Sequence, residues 1–175
     1  MKIFLTGGTG IVGKTLVRHL MSKGHDVLVI AKENNTDVAE INYKQCDITD
    51  YQHLKVLMKG YEAIVHLAAY RSPMGVPGRE VFHVNDCGTF CVYEAAAENG
   101  IKRIVSASSI NVLGSLYGRK MARIKYLPVD ESHPVSATDA YSFSKQILEN
   151  IADYFHDREG ISGCSLRLPA VIGKE

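Results

Sequence analysis

Seven residues near the start of the chain limit what it can fold into more than any other feature. Gly7-Gly8-Thr9-Gly10-Ile11-Val12-Gly13 sets glycines in a GxxGxxG pattern. They follow a short apolar run, Lys2-Ile3-Phe4-Leu5-Thr6, and lead into a stretch where Ile11, Leu16, Val17, Leu20 and Met21 recur at helical spacing until Lys23-Gly24. The order is strand, glycine turn, helix, with a glycine as the helix stop. A continuous apolar run over 27–31 follows at once. Such runs suit strands buried on both faces of a parallel sheet, and this one completes a βαβ unit.

Further strand-like runs lie at 42–46, 63–66, 103–106 and 164–168, with helical segments near 51–59, 79–99 and 139–159. This alternation predicts an α/β fold, a doubly wound parallel sheet with right-handed crossovers. The stretch 114–138, with Pro128 and Pro134, is polar and irregular and reads as a long loop near the site. No internal repeat or linker breaks the chain, so residues 1–175 are expected to form one domain.

The position of the glycines gives them a chemical reading. Glycine permits the tight turn, removes the side chain where a pyrophosphate must approach and lets the helix pack close to the sheet. The free N–H groups and the positive dipole end of that helix favour the anion. A second pattern overlaps the first, because Gly8 and Gly13 with Lys14-Thr15 also satisfy GxxxxGK[ST]. That keeps a nucleotide triphosphatase open as an alternative, one that needs a Mg²⁺ carboxylate further along the chain.

Bulk properties exclude several classes. Apolar residues are 46% and charged residues 22% of the chain, which fits a folded core rather than disorder. The net charge is +1, with no Lys/Arg block, so nucleic acid is not the expected partner. No apolar stretch is long enough to span a bilayer and no signal-peptide pattern follows Met1, so no membrane association and a cytoplasmic location are expected. Cys46, Cys87, Cys91 and Cys164 form no CxxC pair and read as reduced. Cys87 and Cys91 are four apart, but no second ligand pair accompanies them; buried packing is their expected role and no metal is expected.

Taken in order, the later motifs resemble those of the extended short-chain dehydrogenase/reductase family, the NAD-dependent epimerases and dehydratases, through nearly all of the chain. Cys46-Asp47-Ile48-Thr49-Asp50 resembles the family's acidic turn after the third strand, His66-Leu67-Ala68-Ala69 the segment under the adenosine ribose and pyrophosphate, and Asn85 with Gly88-Thr89 the VNxxGT signature. Ser106-Ala107-Ser108-Ser109, followed by Val112-Leu113-Gly114, resembles the catalytic serine strand and makes Ser109 the candidate, with Ser108 beside it. Tyr141-Ser142-Phe143-Ser144-Lys145 matches YxxxK, and Leu166-Arg167-Leu168-Pro169 with Gly173 resembles the stretch on the nicotinamide side.

The resemblance implies a Rossmann domain whose cofactor contacts are Gly7, Gly10, Ile11, Val12, Gly13, Lys32, Asp47, Ile48, Leu67, Ala68, Ala69, Asn85, Tyr141, Lys145 and Pro169, with Asp47 bonding the adenine amine. It implies catalysis by Ser109, Tyr141 and Lys145 on a sugar or nucleotide sugar. Tyr141 and Lys145 share a helix face, and the lysine ammonium together with the positive charge of an oxidised nicotinamide is expected to lower the phenol from its ordinary pKa of about 10 so that it can act as a base. Ser109 would bond the reacting oxygen. Arg71 is a phosphate or substrate candidate, His66 reads as packed rather than catalytic, and Tyr70, Tyr117 and Tyr126 carry no assignment. The second strand ends at Ala31-Lys32-Glu33 without the acid that favours NAD, so NAD(P) binding with a lean to NADP is expected, although Glu33 or Asn34 could reach the ribose. Ser109-Ile110-Asn111 lacks the acidic pair of dehydratases, which favours a dehydrogenase or an epimerase. The family's smaller C-terminal substrate domain is not among these 175 residues, so a catalytically silent dinucleotide-binding or regulatory module stands as the alternative function. The helices near 79–99 and 139–159 resemble a family dimer interface, and a homodimer is expected.

Overall fold

The structure, a computed structural model, describes residues 1–33, 41–118, 120 and 122–171; Asn34 and Gly173 lie outside the described residues. Strands β1 (Lys2–Thr6), β2 (Asp26–Ala31), β3 (Asn42–Gln45), β4 (Ala63–His66), β5 (Arg103–Ser109) and β6 (Ser162–Leu168) alternate with helices α1 (Ile11–Ser22), α2 (Tyr51–Leu57), α3 (Gly78–Phe82), α4 (Gly88–Glu98) and α5 (Ala140–Glu159). The strands make one parallel sheet in the order β3-β2-β1-β4-β5-β6. The doubly wound α/β expectation holds. The order reverses between β1 and β4, and in such sheets the crevice at that point, beyond the carboxyl ends of the strands, is where ligands bind.

Side chains alternate across each strand and so build two cores. Phe4, Leu28, Ile30, Ile64 and Ile104 pack with residues of α2, α4 and α5. Ile3, Leu5, Val27 and Val29 face the other way, onto Val17 of α1. On α1's side of the sheet β5 and β6 are poorly covered: Val105 is 38% and Leu166 47% exposed.

One expected helix is broken. The stretch 79–99 divides into α3, a π-helical turn at His83–Cys87, and α4. Gly88 begins α4 where an added Cβ would lie 2.6 Å from the Ile48 side chain, so the helix is pressed onto the loop after β3. The wide turn before it brings Asn85 and Asp86 to the inside together, and such bulges often lie at functional sites. The expected burial of Cys87 is corrected: it is exposed on this turn, while Cys91 is half-buried. The segment 114–138 runs as loop and bends where described.

Candidate active site

A cavity of about 590 Å³ opens at the carboxyl ends of the strands. Its floor is the glycine turn, and the four glycines there have different reasons to be glycine. An added Cβ would lie 2.6 Å from the Ala68 backbone at Gly7, 2.5 Å from Val29 at Gly8 and 2.4 Å from the Gly7 carbonyl at Gly13. At Gly10 it would meet only the Gly7 carbonyl, at an ordinary 3.4 Å. Three glycines are required by the fold; Gly10 is left for whatever approaches the turn. Gly10 is also the N-cap of α1, and its helix has no side-chain cap and no acid in its first turn. Bare N–H groups at a helix start suit an anion such as a pyrophosphate.

At the adenosine end, Lys32 follows β2 and its Nζ lies 3.0 Å from Oδ2 of Asp47, beyond β3. Burial raises Asp47, but the Thr49 N–H and hydroxyl, donating to Oδ1 at 3.0 and 2.8 Å, and Lys32 together hold it below the usual carboxylate range. The same bond to Asp47 raises Lys32.

The opposite wall is built from α5 and the end of β5. Asp139 caps α5, accepting from the Ser142 N–H at 2.9 Å, and so sets the start of the helix that carries Tyr141 and Lys145. Both are buried, with Lys145 Nζ 5.8 Å from the Tyr141 ring centre. Ser109 ends β5, and its hydroxyl accepts from the Asn111 N–H at 3.2 Å. At Tyr141 burial pushes the phenol above its ordinary value, and the Ser109 hydroxyl pulls against that rise. Lys145 is itself driven down by burial, to about 8.

Every residue expected to touch cofactor or substrate lines this cavity except Asn85, and Arg71 lines it as well. Asn85 stands behind the wall instead. Its Oδ1 accepts from the Tyr70 N–H at 2.7 Å, and its Nδ2 donates to the Tyr70 carbonyl at 3.1 Å and to the Ser144 hydroxyl at 2.9 Å, tying the loop after β4 to α5. His66 is buried and bonded to Thr6 at 2.8 Å and Thr89 at 3.0 Å, and burial lowers it to about 3. Ser108 also lines the cavity, but its hydroxyl is engaged: it donates to Glu149 at 2.6 Å, and Glu149 is gripped twice by Arg167 of β6, each contact 3.0 Å. Tyr70 and Tyr117, left without a role by the sequence, both line the cavity. Tyr70 directly follows His66-Leu67-Ala68-Ala69, and that motif was the signal that could have found it; Tyr117 adjoins no motif, so only the path of its loop brings it there. Lys14 and Thr15 are exposed and do not line it, which leaves the triphosphatase pattern without a site.

Comparison with known proteins agrees with this fold. The NAD dependent epimerase/dehydratase family matches residues 3–175. A uronate dehydrogenase of Pseudomonas syringae is 30% identical over 175 residues, covering 95% of this chain and 58% of its own. A putative UDP-glucose 4-epimerase of Methanocaldococcus jannaschii is 30% identical, covering 98% and 56%. Among solved structures, a short-chain dehydrogenase/reductase superfamily protein from Agrobacterium tumefaciens with bound NAD superposes with a TM-score of 0.84 at 27% identity, covering 95% of this chain and 48% of that one. The chain thus spans little more than half the length of the curated relatives it matches.

Proposed function

We propose that this chain, which belongs to the NAD dependent epimerase/dehydratase family, holds a nicotinamide dinucleotide along the cavity and serves hydride transfer at a hydroxyl-bearing carbon of a sugar or nucleotide sugar. The observation that carries the reading is convergence: the glycine turn, Lys32 and Asp47, and Ser109, Tyr141 and Lys145 all line one cavity at the reversal of strand order. The names of the relatives support the substrate class.

The residues fit the cofactor. Gly10 and the uncapped start of α1 would take the pyrophosphate, Asp47 and Lys32 the adenosine end, Leu67, Ala68 and Ala69 the ribose side, and Pro169 the nicotinamide side. Bound there, a nicotinamide accepts or returns the hydride. Tyr141, as phenolate, takes the proton of the substrate hydroxyl as the carbon loses its hydride, and returns it in the reverse direction. Ser109 donates a hydrogen bond to the same oxygen as it becomes a carbonyl. Lys145, which lines the same wall, would hold the ribose hydroxyls.

We place NADP ahead of NAD because β2 ends in Ala31 and is followed by Lys32. We also propose a homodimer through α3, α4 and α5, where Phe82 stacks with Phe143 and Phe90 with Tyr154, all partly exposed. Sedimentation as a monomer at micromolar concentration would count against it. A binding module without turnover is the second reading, favoured by the bare apolar surface on β5 and β6.

Titration with NADH and NADPH, followed by nicotinamide fluorescence, tests the conclusion. Saturable binding is expected, and Gly10→Asp should abolish it without unfolding the chain, since Gly10 has room for a side chain. Absence of binding to either cofactor would end the proposal. Turnover of uronates or UDP-sugars would then separate an enzyme from a silent module.

A further inference from the structure

The π-helical turn buries two consecutive polar residues, Asn85 at 2% and Asp86 at 3% exposure. Every hydrogen-bonding group of the Asn85 side chain is engaged. Asp86 is the opposite case: neither carboxylate oxygen has a hydrogen-bond partner. A buried carboxylate without a partner is costly and calls for an explanation.

The explanation lies in register. The bond from Asn85 Nδ2 to Ser144 Oγ pins the turn against α5, so Asp86 and Lys145, the residues that follow each, are carried on two elements held together; Lys145 lines the cavity, and Asp86 is buried near it without forming a bond. Lys145 is 4% exposed and is the opposing charge that acts on Asp86. From another element, His66 at the end of β4 feels the Lys145 charge, and on α5 itself Tyr141 lies one turn earlier. Glu149, one turn later, is committed to Arg167, and His83 and Cys87 of the turn itself are exposed.

We propose that Asp86 is a positioning residue: buried and unpaired on the π-helical turn that packs against α5, its carboxylate acts across the gap to keep Lys145 an ammonium and so sets the pH range in which Lys145 can hold the cofactor. The inference rests on the dinucleotide reading of the site. Burial pushes Asp86 up to about 7 and Lys145 down to about 8, and each charge opposes the shift of the other. The pair therefore titrates in two coupled steps. As pH rises, Asp86 ionises first and then helps Lys145 retain its proton.

NMR titration of lysine-labelled protein tests this, with the Lys145 signal assigned through Lys145→Arg. In Asp86→Asn the Lys145 midpoint should fall by roughly one unit, as expected for removal of a close opposite charge. The pH above which NADH affinity is lost should fall with it. A Lys145 midpoint that does not move, with cofactor binding intact, overturns the inference. If the variant does not fold, the unaltered protein decides: the Lys145 signal should show two steps, one at the Asp86 midpoint and one of its own, and a single step overturns the pairing. Failure of the unaltered protein to bind either dinucleotide overturns the reading of the site, and the role of Asp86 with it, whatever the titration shows.

Discussion

The two ends of the cavity are made of different material. The phosphate end is backbone: a turn in which Gly7, Gly8 and Gly13 touch one another or the neighbouring strands and loops, and Gly10 opens the N-terminus of α1. The catalytic end is side chains, with Tyr141, Lys145, His66, Asn85 and Asp86 all buried behind or along the wall. Backbone donors are uncharged and do not titrate, so the first end should be indifferent to pH but intolerant of volume. Buried ionisable groups reverse both properties, because small changes of shape are absorbed while each proton matters. Substitutions at the two ends should therefore fail in different ways.

The largest expected effect separates chemistry from binding. Tyr141→Phe removes the proton acceptor and leaves the ring in its place, so turnover of a sugar substrate should fall by about 10³-fold while NADH affinity is unchanged within about twofold. Initial rates and fluorescence titration on the same preparation measure both. A parallel loss of affinity would mean that the two ends are not independent.

Gly13→Ala should do the reverse. Its Cβ would fall 2.4 Å from the Gly7 carbonyl and 2.6 Å from Gly8 Cα, contacts that only a backbone shift can relieve. We expect a loss of about 2–3 kcal/mol in urea unfolding, together with loss of cofactor binding. Gly10→Ala, with room at 3.4 Å, should fold normally.

How much of this was legible in the sequence follows the same division. The glycine turn could be read because it is local: strand, turn and helix are contiguous, and the spacing of Gly7 to Gly13 is the structure. Tyr141 and Lys145 were legible for a similar reason, since four residues on a helix share a face. The break at His83–Cys87 was not, because no local pattern marks it, and the close approach of Gly88 just after it is to Ile48, some forty residues away. The engagement of Asn85 with Tyr70 and Ser144, and the arrival of Tyr117 at the cavity, depend likewise on where distant loops run. The burial that raises the Tyr141 phenol is likewise something a motif does not reveal.

Acid stability should show the titrating end more gently. His66 is lowered to about 3, so its folded form is neutral; the stability it contributes is present above about 6.5 and is lost as pH falls towards 3. Asp86, raised to about 7, has the opposite sign: the folded state keeps its proton, and stability is lost as pH rises from about 4 to 7. Over pH 4 to 6.5 the two slopes oppose, each limited to about 1.4 kcal/mol per pH unit. Thermal unfolding across this range should be nearly flat in the unaltered protein, rise on acidification in His66→Gln and fall in Asp86→Asn. Parallel profiles for the two variants would remove the assignment of opposite signs.

The smallest effect belongs to the one charged pair at the backbone end. Lys32 and Asp47 meet at 3.0 Å, but the lysine side chain is 64% exposed, and such pairs contribute at most about 1 kcal/mol. Lys32→Ala should leave the unfolding midpoint almost unchanged. Its consequence should appear in the choice of cofactor, because a 2′-phosphate carries more negative charge than Asp47 and would draw Lys32 from it. NADP affinity should drop by about tenfold, roughly 1.4 kcal/mol, with NAD affinity little altered, and the difference should shrink as salt is raised. Equal losses for both cofactors would assign Lys32 to Asp47 alone, and the preference for NADP would have no residue left to carry it.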